Sequence, residues 1–116
     1  SNEAVPDAAF IYRTESGQLL LLWSNFDFDR KKGYRVYIAR SESGDILGPW
    51  THDTVYLYEK DMDTIYTLYD GGHPSILKDP DGKLLLCIHS PSTENESINL
   101  IPIEDTGTTL QIEKYR

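Results

Sequence analysis

The sequence predicts an all-β chain built from two four-stranded antiparallel units, a partial β-propeller of about two blades. Three observations predict it. Apolar runs of strand length alternate with clusters of Gly, Pro, Asp and Ser. No segment carries a convincing helical period. The chain also repeats one strand–turn–strand pattern in each half.

In chain order, "AFIYR" is a short first strand, broken by "TESG", after which "QLLLLWS" resumes as a continuous apolar strand. "GYRVYIARS" alternates, with Tyr34, Val36 and Ile38 on one side and Arg35 and Tyr37 on the other. The segment "ESGDILGPW" interrupts, and a weaker fourth strand is expected near "DTVYLY". "YEKDMDTIYTLYDGG" reads as a long loop. The second half runs "PSILK", the turn "DPDG", "KLLLCIHS", "SINLIPIE" and "TLQIEKY".

Setting Gly17 on Gly82 aligns "AFIYRTESGQLLLLWSN" with "PSILKDPDGKLLLCIHS". Ile11 then falls on Ile76, Arg13 on Lys78, and Leu19, Leu20 and Leu21 on Leu84, Leu85 and Leu86. The match covers turn position and flanking charge as well as the apolar pattern, which is what propeller blades look like in sequence. The blade-like units are 7–58 and 72–116, joined by a loop over 59–71, within a single partial domain. A blade buries its two faces by stacking between neighbours, and closed propellers use four to eight blades. Two blades are therefore expected to be part of a larger ring, or to associate as a homo-oligomer or with a partner chain carrying the missing blades.

Composition narrows the partners. A length of 116 residues sets a ceiling of one domain. The formal charge of −8 disfavours nucleic acid and anionic membrane surfaces. No apolar run approaches the roughly 20 residues that span a bilayer, and no signal or lipidation motif is visible. The chain opens on "SNEAVPDAAF" without methionine, as a processed or trimmed start would. Cys87 is the sole cysteine, so it has no internal disulfide partner, and within "KLLLCIHS" it reads as a buried small hydrophobe.

Taken together, "FIYRTESGQLLLLWSNF", "GYRVYIARSESGDILGPW", "LYEK" and "DGGHPSIL…DGKLLLCIHSP" resemble the later blades of glycoside hydrolase family 43, and more closely its bacterial arabinan- and xylan-directed branches. The resemblance implies a five-bladed propeller with its site at the central axis, a carbohydrate substrate and a secreted or periplasmic setting. It also implies an inverting mechanism, in which an acid and a base carboxyl stand about 6.5–9.5 Å apart to admit a water. The family's acid motif, Glu-Gly-Pro or Glu-Ala-Pro, matches "PDAAFIY" and puts Asp7 at the acid position, with aspartate for glutamate and Ala9 where the motif has proline. The family's histidine after Gly-Gly matches His73, here followed by proline in place of glycine. The resemblance places the base and a third carboxylate on earlier blades. Only six residues precede Asp7, so both are expected outside this sequence. The chain alone is then expected to be inactive or nearly so.

His73, His89 and Trp23 are the residues expected to line the axis or the substrate. His73 is the candidate metal ligand, although one histidine supplies one ligand and no partner is specified locally. The chemistry itself requires no cofactor, and a central calcium or other metal ion is what the resemblance allows. Asp61-Met62-Asp63 lacks the glycine and terminal glutamate of an EF-hand loop and reads, like "DFDR", as a solvated loop. His52 reads as solvent-facing, most aromatics as packing between blades, and "NES" at Asn95 as a glycosylation acceptor only in a eukaryotic secreted protein. The alternative function is a non-catalytic remnant that binds glycan or assembles with a partner.

Overall fold

The computed structural model describes all residues except 1–4, 28–32, 63, 65, 91–96 and 114–116, and for 5–8 and 27 the backbone alone. Asn95 and most of "DFDR" lie outside the described residues. Among the described residues, eight strands form two antiparallel sheets. The first has the order β1 (Val5–Arg13), β2 (Leu19–Asp27), β3 (Gly33–Ser41) and β4 (Trp50–His52). The second has the order β5 (Gly72–Lys78), β6 (Leu84–Ser90), β7 (Ser97–Asp105) and β8 (Leu110–Ile112). No helix occurs among the described residues.

The repeat holds at the level of the backbone. β1 ends at Arg13 and β5 at Lys78, while β2 and β6 restart at Leu19 and Leu84. Thr14 N–H donates to the Gln18 carbonyl at 2.9 Å, and Asp79 N–H donates to the Lys83 carbonyl at 2.9 Å. Gly17 (φ +94°) and Gly82 (φ +87°) each take the left-handed position that closes this turn. Both first strands also carry a register shift at matching places, after Asp7 in β1 and after Gly72 in β5.

The fourth strand differs from expectation: Trp50–His52 pairs with β3, whereas 53–58 forms no strand and adds a single bridge between Val36 and Tyr58. The turn decides this. The Ser41 hydroxyl donates to the Asp45 carbonyl (2.6 Å), and Glu42 N–H donates to the Pro49 carbonyl (2.9 Å), so the chain returns with Trp50 opposite Ser41. At Asp53 the carboxylate instead turns to Arg40, accepting from Nε at 3.0 Å and Nη2 at 2.9 Å.

Leu20, Leu22, Val36 and Ile38 of the first sheet share one core with Leu86, Ile88, Ile101 and Ile103 of the second, filled in by Leu57, Tyr58, Leu110 and Ile112. Polar contacts stitch the same joint: the Tyr12 hydroxyl donates to Asp105 at 2.8 Å, and Arg40 Nη1 to the Thr108 carbonyl at 2.8 Å. The repeat explains which faces meet. The shift that sets Gly17 on Gly82 carries Leu20 and Leu22 onto Leu85 and Cys87, on the far side of the second sheet. It likewise carries Leu21 and Trp23 of the first sheet's far side onto Leu86 and Ile88. Each sheet thus turns the same face in the same rotational sense, as successive propeller blades do.

The two far faces have no blade against them among the described residues. On the second sheet Leu77, Ile98 and Leu100 are 47%, 68% and 50% exposed, which is why Cys87, paired across from Leu100, is half-buried and not the buried residue the sequence predicts. On the first, Trp23 Nε1 and Asn25 Oδ1 are buried without a hydrogen-bond partner among the described residues.

Candidate functional site

β5 lies against β1 and against β2 and β3. At the end where β1 and β5 begin, Asp7 pairs in register with Ser24, and Gly72 with His89. The Ser24 hydroxyl oxygen accepts from the His73 backbone N–H at 3.3 Å. The backbone of the expected acid position and the histidine turn therefore flank the same serine, on neighbouring strands. The Asp7 side chain lies outside the described residues.

The Gly-Gly pair before His73 is there for closeness. A Cβ on Gly72 would stand 3.0 Å from the Tyr34 ring and 3.1 Å from Ser24 Cβ, and one on Gly71 would meet Ile88 Cδ1 at 2.5 Å. The left-handed residue is His73 itself, at φ +55°. Such a φ is uncommon outside glycine, although histidine is enriched there, and it costs an L-residue about 1–2 kcal/mol. A costly backbone placement under an exposed side chain makes that side chain a candidate for a functional role.

The imidazole does not hang free. It stacks on His89 with ring centroids 5.3 Å apart and planes 18° apart, and meets Tyr34 edge-on at 5.9 Å. Tyr34 is held in turn: its N–H donates to the Asp70 carboxylate at 2.9 Å, and its carbonyl accepts from Gly71 N–H at 3.3 Å. The Ser90 hydroxyl donates to the Asp70 carbonyl at 2.6 Å, which fixes the same loop to the end of β6.

Of the expected residues, the structure brings His73 and His89 together. Trp23 stands apart, on the first sheet's far face, 4.6 Å from Tyr37 and with its ring against His52 at 5.4 Å. His52 is exposed apart from that contact. Tyr34 and Asp70 were not legible as site residues. The pattern "GYRVY" marks Tyr34 only as an alternating strand residue, and Asp70 precedes the Gly-Gly pair without any sign of its partner. As a metal centre the two imidazoles are incomplete, since no group of three His, Cys, Asp or Glu among the described residues could hold an ion.

Neither the protein-family models nor the curated proteins give a match to the sequence. Solved structures do. The endo-arabinase from Bacteroides thetaiotaomicron superposes with a TM-score of 0.73 at 36% sequence identity, over 91% of this chain and 34% of that protein. A thermostable family-43 glycoside hydrolase superposes with a TM-score of 0.69 at 20% identity, over 97% of this chain and 36% of its own. The chain thus spans about a third of the length of these solved proteins. The fold is that of the family-43 glycoside hydrolases. The two sheets have the layout of two blades of that propeller.

Proposed function

We propose that the chain is a portion of a family-43-type glycoside hydrolase acting on arabinose- or xylose-containing glycans. The observation that carries this reading is the meeting of position 7 and His73 around Ser24, where two neighbouring first strands begin. In an inverting hydrolysis the acid carboxyl, here Asp7, gives its proton to the glycosidic oxygen as the bond to the anomeric carbon breaks. A water attacks the opposite face of that carbon and loses its proton to the base carboxylate, which the family resemblance puts on blades outside this sequence. The exposed His73 ring offers a hydrogen bond to a sugar hydroxyl or an ordered water at the rim. A central metal ion, if the assembled ring holds one, takes further ligands from those other blades. The two far faces described above would be covered by further blades, or by a partner chain carrying them.

The test is hydrolysis of nitrophenyl arabinofuranoside and xyloside by the chain alone and with fragments supplying the remaining blades. Turnover that appears on assembly and vanishes with Asp7→Asn is the expected result. No turnover in any assembly, with glycan binding retained, favours a non-catalytic binding module, the second reading that Ala9 in the acid motif supports.

A further inference from the structure

We infer that Tyr34 and His89 are positioning residues that clamp the His73 imidazole from two blades, a role that rests on the proposed site at the start of β5. An exposed side chain ordinarily samples several rotamers, and fixing it costs conformational entropy. Here the backbone is fixed first, by the left-handed φ of +55° and the N–H bond to Ser24. The ring is then fixed by two aromatic contacts of different geometry, a face from His89 and an edge from Tyr34. The two contacts come from different sheets: Tyr34 is the second residue of β3 in the first, and His89 the last but one of β6 in the second.

The clamp therefore reports on the joint between the blades. Tyr34 cannot withdraw independently, because the Asp70 carboxylate accepts its backbone N–H and Asp70 belongs to the loop that delivers His73. Gly72 packs closely against both the Tyr34 ring and Ser24, where a Cβ would be crowded at 3.0–3.1 Å. Loop, ring and strand ends form one unit, and the imidazole direction is set by how the first sheet meets the second. A site made of residues from separate blades needs such a device, since small misplacements of a reacting or hydrogen-bonding group are costly to rate.

The experiment is nuclear magnetic resonance of a chain labelled at histidine and at the leucine and isoleucine methyl groups, comparing wild type with Tyr34→Phe, Tyr34→Leu and His89→Leu. In the wild type the His73 ring signals are displaced by the neighbouring rings and its side-chain couplings report one rotamer. Tyr34→Phe keeps both signatures, because the edge contact needs the ring and not the hydroxyl. Tyr34→Leu and His89→Leu lose the displacement and average the rotamers, while the core methyl signals of Leu22 and Ile88 stay in place. Unchanged His73 signals in both leucine variants, or their loss in Tyr34→Phe, overturns the clamp. Should Tyr34→Leu fail to fold, His89→Leu and Tyr34→Phe decide the matter in the same way. In an active assembly Tyr34→Leu lowers kcat on the order of tenfold or more, with KM moving less, and Tyr34→Phe restores it. The ring measurement uses no substrate, so an inactive assembly whose His73 ring is fixed removes the proposed reaction and leaves the clamp standing.

Discussion

Replacing His73 by glycine and, separately, by alanine isolates the cost of its backbone. Both variants lose the imidazole and its contacts with His89 and Tyr34, contacts worth about 0.5–1.5 kcal/mol together at this exposure. They differ only in the Cβ atom. At φ +55° a Cβ costs about 1–2 kcal/mol, and glycine relieves it. Against that, glycine gives the unfolded chain extra freedom worth about 0.4–1 kcal/mol. The balance leaves His73→Gly more stable than His73→Ala by about 1 kcal/mol, and close to the wild type. Urea unfolding at one fixed protein concentration measures the difference, with m held equal across the three proteins. In thermal unfolding the same gap is about 4 °C for a chain of this size. Alanine matching or exceeding glycine would refute the reasoning, since position 73 would then carry no left-handed cost and the inference from that cost to function would fall.

Three further outcomes follow from the same geometry. Asp70→Ala removes the acceptor of the Tyr34 N–H and should cost about 1–3 kcal/mol in urea unfolding, with Asp70→Asn costing less because it keeps an acceptor oxygen. Burial pushes the Tyr58 hydroxyl up from 10.0 to about 12, and burial with the Asp105 carboxylate does the same for Tyr12. Between those values the unfolded chain has released protons that the folded one still holds, so stability falls as pH rises from about 10 to 12, and is unaffected by these groups below that window. Unfolding midpoints that stay level across the window, in Tyr58→Phe and wild type alike, contradict it. The exposed far face of the second sheet should drive association, and Leu100→Lys should weaken it by about tenfold, read as mass by light scattering. A monomer at micromolar concentration with a cooperative melt would contradict that expectation.

Much of the fold was legible because its signals are local. The alternation in "GYRVYIARS" and the matched turns at Gly17 and Gly82 depend on period-two side-chain placement and on φ preferences that each residue carries with it. The fourth strand was misplaced by a few residues because its position is set by where the loop from Ser41 returns, and that loop closes through hydrogen bonds between side chains and backbone that no propensity encodes. His73 was legible as a residue at a strand mouth. Its left-handed backbone was not, since the two glycines beside it were the obvious holders of any unusual φ.

The sequence by itself determined that this chain is all-β, that it repeats, and that each repeat is a strand–turn–strand unit continued by two more strands. Only the tertiary structure decided which faces of those units meet, because alternation sorts side chains into two sides without saying which side finds a neighbour. That choice sent Trp23 to a far face, brought His89 under His73, and delivered Tyr34 from the other sheet. Contacts between residues distant in the chain depend on how twisted sheets stack, and stacking is a property of surfaces that exist only once the strands have paired.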